Sequence, residues 1–213
     1  MTASSTQSGG ERTSADGPVT RREAAPRQRL VDAAGELFYR NGIGAVGVDL
    51  VSKAAGVSKR TLYQQFGSKD ELVAASLDHA GEEILGIYLP SADGGTGDAA
   101  AGTPREQILA TFDALRGWSA SAEFRGCPFI NTATEIADPR HPARRVAREY
   151  KLRMREFFAT QAQRGRARDP QELADQLLIV FDGAIVQAVM DTARSTGAAR
   201  TAAEALLAAH DVR

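Results

Sequence analysis

The sequence predicts an all-α fold, in which a small three-helix N-terminal head precedes a larger C-terminal helical body. Apolar residues recur at helical spacing from Pro26 onward, beginning with Leu30, Ala33, Ala34, Leu37 and Phe38. Glycines and capping residues interrupt this spacing after short segments, as expected of short helices joined by tight turns. No segment shows the apolar–polar alternation of a half-buried strand. We expect residues 1–24 to form a disordered arm, 25–70 the head and 71–213 the body.

The head begins with a helix that we expect Asn41-Gly42 to end through a left-handed C-terminal cap. A second short helix is expected over residues 48–55, because Gly47 can act as its N-cap and Asp49 lies near the positive end of its dipole. Gly56 then breaks this helix.

A third helix is expected after Ser58, which is a good N-cap residue, and it should end near Phe66, before a Gly67 of positive φ. Ser68 and Glu71 have the spacing of a capping box, in which each side chain accepts from the backbone N–H of the other residue. A fourth helix is therefore expected from Ser68 to about residue 88.

The body should contain five further helical segments, after a Gly-, Ala- and Ser-rich stretch at 90–104 that we interpret as a mobile connection. The helix expected from Pro170 to about Ser195 is apolar on two faces, so both faces need a cover. We expect the same helix of a partner subunit to pack on one of these faces. Residues 202–210 would form the neighbouring helix of a four-helix dimer bundle. The predicted dimer interface consists of Leu178, Phe181, Ile185, Val186, Val189, Leu206 and Leu207.

Charge is nearly balanced over the whole chain, so any surface for nucleic acid must come from local clustering of basic residues. Between Thr20 and Leu72 there are nine basic and six acidic residues, which leaves the head net positive by three. The arm that precedes the head ends in Arg21 and Arg22, and it is either a tail without a partner or a contact to the minor groove of DNA.

The segment 50–66 has the pattern of a helix-turn-helix, in which two short helices meet at a tight turn that contains Gly56. Val51, Ala55 and Leu62 fall where apolar groups pack the two helices together. The second helix then has a polar outer face, as expected of a helix that enters the DNA major groove. The alternative is a packed helical hairpin with an ordinary basic surface.

The stretch from Gly42 through Leu72 closely resembles the DNA-binding head of the TetR family of transcriptional regulators. Its most specific parts are Ala55-Gly56-Val57-Ser58 and the run from Thr61 to Leu72. The resemblance covers residues 26–75, whereas the body is similar to the family in its helical layout and length. One departure is Val46-Gly47, where family members usually carry Thr or Ser, so a hydroxyl cap and a phosphate contact are missing.

The resemblance implies phosphate contacts from Thr61, Tyr63 and Lys69, and base contacts from residues of the third helix. Lys53 is a further candidate for a phosphate, and Arg60 could bind a guanine through two hydrogen bonds. The predicted DNA-binding residues are Lys53, Ser58, Lys59, Arg60, Thr61, Tyr63, Gln64 and Lys69.

Several aromatic and sulfur-containing side chains of the body are either core residues or the lining of an apolar ligand site, which the resemblance implies for some of them. These candidates are Phe112, Trp118, Cys127, Phe129, Met154, Phe158 and Phe181. Cys127 precedes Pro128 at a helix N-terminus, where a reactive thiolate is one interpretation and a buried small residue is the other.

No metal site, cofactor or enzymatic activity is predicted. His79, His141 and His210 are far apart in the sequence, and a Cys127–His141 nucleophile pair lacks an orienting acid and an oxyanion loop. A single cysteine, no apolar run near the roughly 18 residues of a membrane span, and no secretion signal predict a cytoplasmic protein.

These observations predict a homodimer that binds an operator in double-stranded DNA and is released when an unidentified small molecule binds the body. Release would be a population shift toward a spacing of the two heads that does not fit one DNA turn, with the helix from Ser68 as the lever. Repression follows from the resemblance alone. The alternatives are a regulator that activates or needs no small molecule, and a helical interaction scaffold without DNA binding.

Overall fold

A computed structural model describes residues 25–88, 102–190 and 193–212 of the chain. These residues contain nine α-helices and no strand, which confirms the predicted all-α class. The predicted arm, with Arg21 and Arg22, and most of the predicted connection at 90–104 lie outside the described residues.

The head consists of α1 (Pro26–Asn41), α2 (Val48–Ala55) and α3 (Lys59–Gln65), and the start of α4 (Lys69–Tyr88) packs against α1. Its core contains the fully buried side chains of Leu30, Val51, Leu62 and Leu72. Because α2 and α3 are only eight and seven residues long, packing onto α1 and onto each other holds them in place.

The body consists of α5 (Pro104–Ser119), α6 (Pro128–Glu135), α7 (Pro142–Arg164), α8 (Pro170–Met190) and α9 (Ala193–Ala209). The long helix α7 lies at its centre and contacts α4, α5, α6 and α8, while α9 packs on α5 and α8. Thus α4 belongs to both parts, because it packs on α1 of the head and on α7 of the body.

Contact between α4 and α7 depends on a glycine and a tyrosine. A Cβ at Gly81 would lie 2.4 Å from Cζ of Tyr150, so only glycine lets the phenol ring approach the backbone of α4. The Tyr150 hydroxyl lies 2.6 Å from Oε1 of Glu82 and 2.9 Å from the carbonyl oxygen of Asp78. The two helices are therefore joined by a buried ring and a short hydrogen bond.

Several local predictions need correction. Gly42 has a φ of 85° but a ψ of 153°, so it ends α1 outside the left-handed helical region. Gly67 does not have a positive φ, since Phe66 ends α3 in an extended conformation. The expected capping box is shifted: the Glu71 N–H donates to Ser68 Oγ, but the Glu71 carboxylate accepts from the Gly67 N–H, at 2.9 Å.

The boundaries of the last two helices also differ from the prediction. The described part of α8 reaches Met190, residues 191 and 192 lie outside the described residues, and α9 is helical from Ala193 rather than from Ala202. The buried side chains of α9 include Ala199 and Ala203, and such small residues contribute little to the apolar periodicity by which a helix is predicted from sequence.

The prediction of no long apolar run was wrong for α8, which is long and apolar enough to span a membrane by length and composition alone. This is weak evidence for a span, because the core helix of a soluble protein has the same properties. Here α8 packs against α7 and α9, and its Asp182 forms an ion pair with Lys151.

Candidate functional site

Helix α3 is held to the head along one side and exposed on the other. Ser58 caps it, since its Oγ accepts from the Thr61 N–H at 3.0 Å and lies 2.8 Å from Thr61 Oγ1. Leu62 is fully buried, whereas Arg60 and the half-exposed Tyr63 face solvent. The left-handed Gly56 makes the tight turn that sets α3 against α2.

The eight predicted contact residues are not equally available. Exposed side chains are those of Lys53, Ser58, Lys59, Arg60, Tyr63 and Gln64, while Thr61 and Lys69 are partly buried. The hydroxyl of Thr61 is already bonded within the cap. The Lys69 ammonium donates to the Ile43 carbonyl oxygen at 2.6 Å and lies 5.8 Å from the Phe38 ring centroid.

An ion pair within the head was not foreseen from the sequence. Lys59 Nζ lies 2.5 Å from Oδ1 of Asp49, across the turn between α2 and α3. The hydrogen bond to Asp49 raises the pKa of Lys59. Both groups are more than half exposed, so the pair is screened by solvent and contributes little to stability. The Asp49 carboxylate is therefore paired with one of the cations among the predicted DNA-binding residues.

A set of contacts, which we call the head–body contact, joins the end of α1 to the body. The Glu135 carboxylate, at the end of α6, accepts from the backbone N–H of Ile43 at 3.0 Å and of Gly44 at 2.5 Å. The Tyr39 hydroxyl donates to the Gly126 carbonyl oxygen at 2.9 Å. Arg40 also pairs with Glu123 at 3.0 Å.

No local pattern in the sequence indicates the head–body contact, because its partners are 83 to 92 positions apart. Glu135 has no local signal that distinguishes it from any exposed glutamate. The contact ties the end of α6 to the loop between α1 and α2.

A cleft of about 720 Å³ lies beside the head–body contact. Helices α1 and α4 form one side, and the end of α5, the loop after it, α6 and Val189 of α8 form the other. Phe38, Tyr39, Leu77, Ile84 and Trp118 contribute apolar surface. The cleft is therefore a space between head and body, rather than within the body alone.

Most of the predicted pocket residues lie elsewhere. Trp118 lines this cleft, and Phe129 lines a second cleft of about 500 Å³ between α6, α7 and α8. The side chains of Phe112, Phe158 and Phe181 form a buried cluster, with ring centroids 5.5 to 6.2 Å apart. Met154 and Cys127 are also buried and line neither cleft.

Cys127 is a buried side chain in the core, as in the second of its two interpretations. It is the N-cap of α6 but makes no side-chain cap hydrogen bond, and its side chain is buried. Burial raises the pKa of the Cys127 thiol, which disfavours the thiolate at neutral pH. Among the described residues no group of three or more metal-binding side chains is found.

The predicted dimer residues divide into two groups. Phe181, Ile185 and Leu207 are buried in the core of their own protomer, and Leu178 and Leu206 are partly buried. Val186 and Val189 are exposed, together with Ile179 and Met190, which were not in the predicted set. The residues 179, 183, 186 and 190 lie at i, i+4, i+7 and i+11, so they form one outward stripe on α8.

Two family models match the chain. Residues 30–76 match bacterial regulatory proteins of the tetR family, and residues 104–206 match the tetracyclin repressor-like C-terminal domain. A solved TetR-type transcriptional regulator from Streptomyces avermitilis is 42% identical, with a TM-score of 0.81, over 89% of this chain and 100% of that one.

Curated relatives match over shorter stretches. An HTH-type transcriptional regulator of Mycobacterium tuberculosis is 29% identical over 53% of this chain and 54% of its own length. The transcriptional activator FasR of Mycolicibacterium smegmatis is 44% identical over 29% of this chain and 28% of its own. The chain thus spans about half or less of the length of these curated relatives, but it covers the whole of the Streptomyces structure. Head and body both match, and the chain belongs to the TetR family of bacterial transcriptional regulators.

Proposed function

We propose that the protein is a cytoplasmic, homodimeric repressor that binds a near-palindromic operator through α3 and leaves it when a small molecule binds. The observation that carries the proposal is the geometry of α3. Its buried side chain, Leu62, anchors it to the head, while Arg60, Tyr63 and Gln64 face outward, where a major groove can receive them. Membership of the TetR family supports the same function.

The exposed polar side chains of the head would contact either the bases or the phosphates of DNA. An arginine can donate two hydrogen bonds to a guanine, and a glutamine can bond an adenine in the same way, so Arg60 and Gln64 would read bases. Lys53 and the Tyr63 hydroxyl would contact phosphates, which adds affinity without sequence preference. Lys69 has spare N–H donors beside its bond to Ile43, so it can hold the loop and still reach a phosphate.

The test of DNA binding is fluorescence anisotropy with a fragment from upstream of the protein's own coding region and a scrambled fragment of equal length. We expect Arg60→Ala to weaken binding to the operator by about 1 to 3 kcal/mol, because a bidentate base contact is lost. Binding to the scrambled fragment should change far less. Lys53→Ala is the matched control, since loss of a phosphate contact should weaken both complexes similarly. An equal loss on both fragments for Arg60→Ala would refute base reading by this residue.

Replacing Asp49 with asparagine should strengthen DNA binding. The change removes a carboxylate from the recognition surface and frees Lys59, which lies 2.5 Å from Asp49 Oδ1. We expect about threefold to tenfold tighter binding at 50 mM salt, with a steeper loss of affinity as salt rises, because one more cation faces phosphates. Glu149→Gln, which removes an exposed carboxylate of α7 in the body, serves as the control. Unchanged affinity and salt dependence in Asp49→Asn would show that Lys59 does not face the duplex.

The outward stripe of α8 supports the proposed dimer. Its exposed apolar side chains would be covered by the partner subunit, and α9 packs beside it, as the four-helix arrangement requires. The stripe revises the interface predicted from the sequence: Ile179 and Met190 join the predicted Val186, the buried Phe181, Ile185 and Leu207 are left out, and Val189 lies off the stripe and lines the cleft.

Activation is a second candidate function, because one of the similar proteins is named a transcriptional activator. That similarity extends over 62 residues, so it does not bear on the whole body. A reporter gene behind the bound fragment separates the two functions: deleting the regulator raises expression if it represses and lowers expression if it activates.

A further inference from the structure

We infer that the cleft between head and body binds a cationic aromatic ligand, and that this ligand acts on α1 directly. The inference rests on the proposed function, and it adds the position of the effector and its chemical class. It also moves the site away from the buried aromatic cluster of the body to the surface that α1, α4 and α6 share.

The apolar part of the cleft suits a ring system. Phe38, Tyr39 and Trp118 lie along it with Leu77 and Ile84, so aromatic rings and aliphatic groups line the same space. A volume of about 720 Å³ falls within the range of sites for drug-sized molecules. Flat aromatic ligands bury their faces well against such side chains, and aromatic rings also attract cations.

The charged part of the cleft favours a positive ligand. Four carboxylates line it, those of Glu36, Glu83, Glu123 and Glu135, against the two guanidinium groups of Arg40 and Arg125. The lining is therefore net negative by two at neutral pH.

Glu83 is the carboxylate with most capacity for a ligand. Glu123 and Glu36 are both paired with Arg40, and Glu135 is bonded to the loop after α1. Within the described part of the chain, the ion-pair partner of Glu83 is His79, whose Nε2 lies 3.7 Å away and is charged only when protonated. A ligand cation near Glu83 would thus meet a carboxylate without a lysine or arginine partner.

A ligand in the cleft can act on α3, the helix proposed to enter the major groove, through α1. The ligand would touch α1 at Glu36 and Tyr39, next to the head–body contact that Tyr39, Arg40 and Glu135 make. The head packs on α1 through α2 and α3, so displacement of α1 carries α3 with it. A ligand that binds better when α1 has moved shifts the protein toward that state.

The experiment compares two xanthene dyes of similar size, cationic rhodamine 6G and anionic fluorescein, on the full chain without DNA. Trp118 is the only tryptophan in the sequence and lines the cleft, so saturable loss of its emission reports occupation. We expect rhodamine 6G to bind at least about tenfold more tightly than fluorescein.

Two variants test the charge and the position. Glu83→Lys should weaken rhodamine 6G binding about tenfold, whereas Glu149→Lys, which changes net charge equally on an exposed site outside the cleft, should leave it within about twofold. Ala80→Leu adds volume to the wall of the cleft and should weaken both dyes. Circular dichroism confirms that each variant is folded.

Equal binding of the two dyes, or equal effects of the Glu83 and Glu149 variants, would overturn the inference. The proposed function is tested separately by operator binding without dye. If operator binding is intact but rhodamine 6G neither binds nor lowers the bound fraction, the inference fails and the function stands. If no duplex is preferred at all, the proposed function itself has failed.

Discussion

Replacing Ile179 with glutamate will convert the protein into a monomer and lower its affinity for a full operator about a hundredfold. The Ile179 side chain is 71% exposed in the single chain and is the first residue of the outward stripe of α8. A carboxylate buried without a partner between two apolar helices opposes association strongly. Loss of the dimer removes the gain in affinity that comes from linking two heads on one duplex.

The measurements for Ile179→Glu are molar mass by light scattering and anisotropy on full and half operators. Affinity for the half operator should stay nearly unchanged, because α3 lies in another part of the fold. Ile179→Leu is the matched control and should remain dimeric, since it keeps an apolar side chain of similar volume. If Ile179→Glu is still a dimer with full operator affinity, the stripe is not the interface.

Replacing Phe158 with alanine will destabilise the protein by about 3 to 5 kcal/mol. The side chain is fully buried, and its ring contacts those of Phe112, Phe157 and Phe181. Alanine would leave a cavity at the meeting point of α5, α7 and α8 that the surrounding rings cannot fill completely.

Denaturation by urea, followed by circular dichroism at one fixed protein concentration, measures the effect of Phe158→Ala, since the stability of a dimer depends on concentration. Glu149→Ala, an exposed change on the same helix, should stay within about 0.5 kcal/mol of the unchanged protein. A small loss of stability with a large loss of ligand affinity would instead restore Phe158 as a pocket residue.

The organisation of the head was predictable because its signals are local. Ser58 and Thr61 are three positions apart, and the cap between them forms as the sequence pattern indicates. Gly56 likewise takes the left-handed conformation that its place in the turn requires. The same reasoning failed at Gly67, because Phe66 is buried in the core in an extended conformation and ends α3 one residue earlier.

The candidate effector site was not predictable in the same way. Composition identified large aromatic residues of the body, but whether a ring faces a cleft or other rings depends on neighbours far along the chain. Phe112 and Phe181 contact each other across 69 positions, with ring centroids 5.5 Å apart, whereas Trp118 on the same helix as Phe112 lines the cleft.

The sequence by itself determined the class of protein, the all-α fold and the short helix α3 with its cap, because capping and apolar periodicity act between residues three or four positions apart. The tertiary structure decided which face of α8 is outward, where the cleft lies, and how Glu135 holds the loop after α1. These features depend on contacts between distant segments, and no local pattern encodes the side of a helix that a distant neighbour will cover.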